Sequence, residues 1–184
     1  MNVYDFDGTI YDGDSSIDFF LYALKKKPSI IRFLPRQAWG FLRYKAGKTG
    51  KTAFKESLFS FLQGIDAGSM VETFWDGHEK KIMDWYKKQQ GENDVIISAS
   101  PEFLLRPVCG RLGIKYLIAS LVDAHTGKFQ GENCRGAEKV SRFQSAFGSR
   151  PVSRFYSDSR SDQPFADMAE QAFLVKKGKI SVWR

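Results

Sequence analysis

Hydrophobic positions along the chain follow two different periods. A short apolar run over residues 2–6 stops at Asp7-Gly8, which reads as a buried strand closed by a turn. After Asp14 the spacing becomes helical, with Ile17, Phe20, Leu21 and Leu24 at i, i+3, i+4 and i+7. Further helices are predicted over 36–44, 51–63 and 70–89, and Pro28 and Pro35 mark breaks or starts. Strand character returns at 94–98. Ser100-Pro101-Glu102 then reads as a helix start: a cap, a proline at the first position and an acid in the first turn. That helix runs to about Gly110. A strand at 115–119, a small hairpin over 121–130 around Thr126-Gly127, a helix at 136–147, a strand at 153–156, a short helix and a last strand at 172–175 complete the pattern. The alternation predicts an α/β fold with a doubly wound parallel sheet. Residues 1–14 and 92–184 form its core, and 15–91 form a helical insertion after the first strand.

The 184 residues are 42% hydrophobic and 27% charged, enough to bury a core and too apolar for global disorder. No apolar run approaches the roughly 18 residues of a membrane span, and the N-terminus has no signal-peptide pattern. The chain is therefore expected in the cytoplasm, with Cys109 and Cys134 as thiols. Charge adds an asymmetry. Of the net +7, the stretch from Ser15 to Glu92 holds 14 basic and 8 acidic residues, and 25–55 carries ten basic residues and no acid. Such a stretch is either a solvated surface or a binding face for anions. Phe33, Trp39, Phe41 and Tyr44 are interleaved with its arginines and lysines, a pairing that suits a membrane interface or stacked bases.

On the predicted topology, Asp5 and Asp7 follow the first strand, Ser98 ends the second, and Asp158 and Asp162 follow the fourth. Ligands bind outside the carboxyl ends of strands in open parallel sheets, so residues about 150 positions apart are expected in one crevice. Converging carboxylates repel one another and call for a cation. Oxygen donors without His or Cys favour a hard ion, Mg²⁺ first. Carboxylates, a metal, a serine hydroxyl and a lysine together suit phosphoryl chemistry.

Asp5-Phe6-Asp7-Gly8-Thr9 resembles motif I of the haloacid dehalogenase-like phosphohydrolases. Val95-Ile96-Ile97-Ser98 resembles their motif II, Lys139 their motif III lysine, and Asp158 with Asp162 their motif IV acids. Ser98-Ala99-Ser100-Pro101-Glu102 and Asp14 point to the phosphoserine-phosphatase-like branch. The resemblance implies a Rossmann-like core with a helical C1 cap, and a Mg²⁺-dependent phosphatase. Asp5 would be the nucleophile that forms an aspartyl-phosphate, and Asp7 the acid and then the base. Ser98 would hydrogen-bond the phosphoryl group, and Lys139 would neutralise it and orient Asp5. Asp5, Asp158 and the carbonyl of Asp7 would hold the metal, with Asp162 in support directly or through water. Asp14, Ser98, Ala99, Ser100 and Arg135 would contact substrate, and either Lys139 or Arg135 would reach the phosphate. Motif IV departs from the usual Gly-Asp-Gly by reading Ser157-Asp158-Ser159.

The expected substrate is a small phosphorylated metabolite or a phospholipid head group at the basic cap, the latter with the protein peripheral to a membrane. Nucleic acid is disfavoured as a partner, and the oligomeric state is left open. Two alternatives remain: phosphoryl transfer to an acceptor other than water, and a non-catalytic polyanion- or membrane-binding module. Retention of both Asp5 and Asp7 argues against the second.

Overall fold

The computed structural model describes residues 1–183. Six strands form one sheet: β1 (Asn2–Tyr4), β2 (Val95–Pro101), β3 (Tyr116–Ser120), β4 (Arg154–Ser157), β5 (Gln171–Lys176) and β6 (Lys179–Val182). Their spatial order is β3-β2-β1-β4-β5-β6, parallel throughout except that β6 runs antiparallel to β5. The fold is α/β, as the strand–helix alternation predicts. The order reverses on either side of β1, which opens a crevice at the carboxyl ends of β1 and β4.

Alternation along the strands fills two cores. Val3, Val95, Ile97 and Phe155 point to one face and pack with Phe143 of α7 (Ala137–Phe147) and Phe165 of α8 (Gln163–Met168). Tyr4, Ile96 and Tyr156 point to the other face, toward Leu104, Leu105 and Val108 of α6 (Glu102–Arg111). Each large side chain removed from water contributes roughly 1.5–3 kcal/mol.

Between β1 and β2 lie α1 (Ser15–Lys26), α2 (Leu34–Lys45), α3 (Lys51–Leu58), α4 (Ala67–His78) and α5 (Asp84–Gln89), with 3-10 turns at Pro28–Phe33, Phe59–Gly64 and Glu79–Lys81. This helical segment shares a core with the sheet: Phe19, Phe61, Phe74, Trp75 and Tyr86 belong to the same apolar cluster as Tyr4 and Ile96. The Tyr86 ring lies 4.9 Å from that of Tyr4, and the Trp75 indole donates to the Leu104 carbonyl at 2.7 Å.

Four local details depart from the sequence pattern. The helix expected over 70–89 breaks at Ile82-Met83, where the Met83 amide bonds the Ile10 carbonyl at 2.8 Å and Ile82 bridges Tyr11. The hairpin expected over 121–130 shrinks to one bridge, Val122 to Phe129, because an Asp123 turn dominates it. Strand β2 runs past Ser98 to Pro101, so Pro101 rather than Ser100 sits at the N-cap of α6. Finally, β6 follows β5 through Lys177 and Gly178, whose φ values of 50° and 74° suit a tight hairpin turn.

Candidate active site

The loop after β1 is folded back on itself. The Phe6 carbonyl accepts from the amides of Thr9, Ile10 and Tyr11, and the Gly8 amide donates to Tyr11 at 3.0 Å and Gly13 at 2.9 Å. Gly8 has φ 68°, and a Cβ there would lie 2.5 Å from Asp158 Oδ2. The glycine therefore lets the carboxylate after β4 approach the backbone next to Asp7.

The crevice holds a cavity of ≈ 630 Å³ whose wall includes Asp5, Asp7, Asp14, Ser98, Ala99, Ser100, Arg135 and Asp158. Asp5 extends the sheet ladder through its amide to the Tyr156 carbonyl at 2.8 Å. Its Oδ1 accepts from the Phe6 amide at 2.8 Å and lies 3.0 Å from Lys139 Nζ. Asp7 faces a different set of donors: the Ser15 amide at the start of α1, 2.7 Å from Oδ1, and the Ser100 hydroxyl, 2.5 Å from Oδ2. Burial raises the carboxyl of Asp5 to about 6 against the opposing charge of Lys139. Burial, reinforced by Asp14, raises that of Asp7 to about 7.

Lys139 is 1% exposed and stands behind Asp5. Its Nζ is 2.6 Å from Asp162 Oδ2. Burial works against its charge, but Asp5 and Asp162 outweigh that and hold its pKa above the usual lysine range. Asp162 is also occupied, accepting from the Ser157 hydroxyl at 2.9 Å and the Gly136 amide at 3.3 Å. It lies behind the wall rather than on it. Of the two cations considered for the phosphate, Arg135 lines the cavity, with Nε donating to Ser161 Oγ at 3.1 Å. Asp14 caps α1, accepting from the Ser16 and Ile17 amides at 3.0 Å, while remaining on the cavity wall. The Ser98 hydroxyl accepts the Ser100 amide at 3.1 Å, which leaves its own proton for a further acceptor.

Two cations stand in the site that the sequence pattern left in a generic basic stretch. Lys51 and Lys55 of α3 line the cavity opposite the carboxylates. Lys55 Nζ donates to the Ala99 carbonyl at 2.7 Å and to Asn133 Oδ1 at 3.1 Å. Burial, then the neighbouring charge of Lys51, lowers its pKa to about 8. The apolar part of the wall is Ile17, Phe20, Phe54, Leu58, Phe59 and Phe61, and Ser16, Gln37 and Ser159 add polar atoms to it.

The donor set fits a hard divalent cation. Asp5 and Asp158 face one cavity, burial raises the pKa of both, and the neighbouring donors are oxygens. Among the described residues no three His, Cys, Asp or Glu side chains group around a metal position. Ligation would therefore draw on those two carboxylates, the Asp7 carbonyl and water.

Known proteins resemble this chain in sequence and in fold. Protein CicA of Caulobacter vibrioides is 26% identical over 195 residues, covering 96% of this chain and 86% of that protein. A histidinol-phosphatase of Neisseria meningitidis serogroup C is 23% identical, covering 100% and 96%. Among solved structures, a protein of unknown function from Bordetella pertussis Tohama I superposes with TM-score 0.76 at 20% identity, covering 94% of this chain and 87% of that one. A phosphoserine phosphohydrolase-like protein from Francisella tularensis subsp. tularensis superposes with TM-score 0.57 at 20% identity, covering 94% and 86%. The family model for haloacid dehalogenase-like hydrolase matches residues 3–167, a span that runs from Val3 in β1 past the carboxylates that follow β4. The chain belongs to the haloacid dehalogenase-like hydrolases.

Proposed function

We propose that the protein is a Mg²⁺-dependent phosphomonoesterase that works through an aspartyl-phosphate on Asp5, with the helical segment 15–91 serving as its cap. The observation that carries this reading is the unequal setting of two carboxylates on one wall. Asp5 is backed by the Lys139 ammonium at 3.0 Å, whereas among the described residues Asp7 makes no ion pair and accepts instead from the Ser15 amide and the Ser100 hydroxyl, with burial raising it to about 7. One is kept as an anion for attack, and the other is poised to hold or release a proton near neutrality.

A carboxylate oxygen of Asp5 attacks phosphorus, and the bond from phosphorus to the ester oxygen breaks. Asp7 delivers its proton to that departing oxygen. Asp7 then takes a proton from water as the water oxygen attacks the same phosphorus. The bond to Asp5 breaks, which releases inorganic phosphate and restores the starting carboxylates. Ser98 and Arg135 offer hydrogen bonds to the phosphoryl oxygens, and Lys139 fixes Asp5 from behind. Mg²⁺, held by Asp5, Asp158 and the Asp7 carbonyl, would supply positive charge against the phosphoryl oxygens.

A cavity of ≈ 630 Å³ with an apolar far wall suits a small phosphorylated metabolite or the head group of a phospholipid. Asp14 and Ser100, at the boundary between core and cap, would contact the rest of the substrate.

Hydrolysis of an aryl phosphate tests the chemistry. Turnover should require Mg²⁺, disappear with chelator, and fall by about 10³ or more in Asp5→Asn. Full activity in Asp5→Asn would remove the nucleophile assignment and the mechanism with it.

A further inference from the structure

A helix packed on a protein normally turns its apolar face inward. Helix α2 does so only in part: Phe41 and Tyr44 lie against Phe54 of α3, with ring centroids 5.9 and 5.0 Å away, but a second apolar strip faces solvent. It touches the body along the buried Gln37 and Gly40 and the half-buried Tyr44. Gly40 brings the backbone so close that a Cβ there would stand 2.4 Å from Ser57 Cβ. At about 100° per residue, the opposite arc holds Pro35, Ala38, Trp39 and Leu42, and all four are exposed. Trp39 is 63% exposed and Leu42 58%. Arg36 and Arg43 border this arc on one side. Lys45 borders it on the other, with Nζ 5.7 Å from the Phe41 ring centroid. The 3-10 turn leading into α2 adds Ile31, 58% exposed, beside Arg32.

We infer that α2 is an interfacial helix that seats the protein on an anionic lipid bilayer, with Trp39 and Leu42 entering the head-group region and the flanking arginines meeting lipid phosphates. An apolar arc bounded by cations is the pattern that lies in the plane of a membrane interface. Charge selects this occupant over a second copy of the chain, because Arg32, Arg36, Arg43 and Lys45 flank the arc with no acid anywhere in 25–55, so two such faces repel. The aliphatic surface selects it over RNA. Trp39 and Phe41 can each stack on a base, but Pro35, Ala38, Leu42 and Ile31 give bases nothing to stack on, whereas a bilayer takes up both the apolar arc and the charge. A helix of 12 residues is too short to span, and no helix among the described residues is long and apolar enough to do so. Binding at this face requires no turnover, so it is independent of the proposed chemistry.

Flotation with vesicles tests it, using phosphatidylcholine alone against equal parts phosphatidylcholine and phosphatidylglycerol. Wild type should float with the anionic vesicles only, with a blue shift of tryptophan emission that Trp39→Phe abolishes. Trp39→Ser with Leu42→Ser should weaken partitioning by about tenfold or more. Arg36→Gln with Arg43→Gln should weaken it by about thirtyfold, roughly fivefold per charge. Both pairs should retain the wild-type circular dichroism and wild-type turnover of a soluble aryl phosphate, since none of these side chains lines the cavity. The inference is wrong if wild type stays unbound with anionic vesicles, or if the Trp39/Leu42 pair floats as well as wild type. It is also wrong if single-stranded RNA captures wild type and that pair equally while vesicles capture neither, or if wild type is a dimer in solution that the same pair dissociates.

Discussion

Lys55 is a charged group in a position that disfavours charge. Its pKa is lowered from 10.5 to about 8, first by burial and then by Lys51. A depressed lysine pKa means that the folded state releases its proton before the unfolded chain does. Below pH 8 both states hold the proton and the fold carries the full burden, about 3 kcal/mol at roughly 1.4 per pKa unit. Between pH 8 and 10.5 the unfolded state binds more protons, so stability rises with pH. Chemical denaturation should show wild type gaining on Lys55→Met across that window, and parallel curves would contradict the assignment. Over the same window wild type loses a cation from the cavity, so KM for an anionic substrate should rise with pH. In Lys55→Met, KM should be high already at neutrality and flat there. Ser157 poses a different question at the same scale. Its buried hydroxyl lies 2.9 Å from Asp162 Oδ2 and 3.3 Å from Asp5 Oδ2, where the family commonly has glycine. Ser157→Ala should cost about 1–2 kcal/mol of stability. It should lower kcat more than it raises KM, because the hydroxyl positions carboxylates and does not line the cavity. An unchanged melting temperature and kcat would show that the hydroxyl is idle.

At the scale of elements, the turn after β1 depends on one residue without a side chain. Gly8 combines φ 68° with a would-be Cβ 2.5 Å from Asp158 Oδ2, so Gly8→Ala must both strain the backbone and displace a carboxylate. The variant should lose about 1–2 kcal/mol of stability and most of its activity. Gly50→Ala is the control: it precedes α3 at φ −71° with nothing within 4 Å, and should change both by little. A Gly8→Ala protein as active as wild type would separate the turn from the site. The elements also differ in how readily they could be read from sequence. β1, β2 and β4 declare themselves because their residues are buried on one face or both, which writes apolar runs into the chain. β6 is exposed along its whole length and carries no such pattern. The break at Ile82-Met83 is set by backbone bonds to a loop some 70 positions earlier, for which no local residue is a signal. The acids were legible because they follow strands at family spacing. Lys51 and Lys55 were not, since a lysine on a helix looks the same whether it faces solvent or a cavity. Ser100 looked like a cap for the same kind of reason: its bond to Asp7 spans 93 positions.

For the whole molecule, the site concentrates negative charge within a protein whose net charge is +7. Asp5, Asp7 and Asp158 face one cavity, and Asp162 stands behind it, with the buried Lys139 paired to Asp5 and Asp162. Burial raises the pKa of Asp5, Asp7 and Asp158 alike, and Asp162 adds to the rise at Asp5 and Asp158. The folded state thus confines carboxylates that the unfolded chain would separate. A cation bound only by the folded state relieves that repulsion and stabilises by mass action, by about 2.7 kcal/mol at a hundred times its Kd. For a chain of this length that corresponds to a rise in Tm of roughly 5–10 °C. Mg²⁺ should therefore raise the melting temperature of the substrate-free protein, and chelator should reverse the shift. Asp158→Asn removes one repelling charge together with one ligand. It should melt higher than wild type in chelator and respond little to Mg²⁺, so the two curves cross as the metal is added. Identical melting of wild type with Mg²⁺ and with chelator would show that these carboxylates do not form a metal site, however well their spacing matches the family's. The aryl phosphate assay with Mg²⁺ varied would then decide whether the cavity hydrolyses phosphate esters by another route.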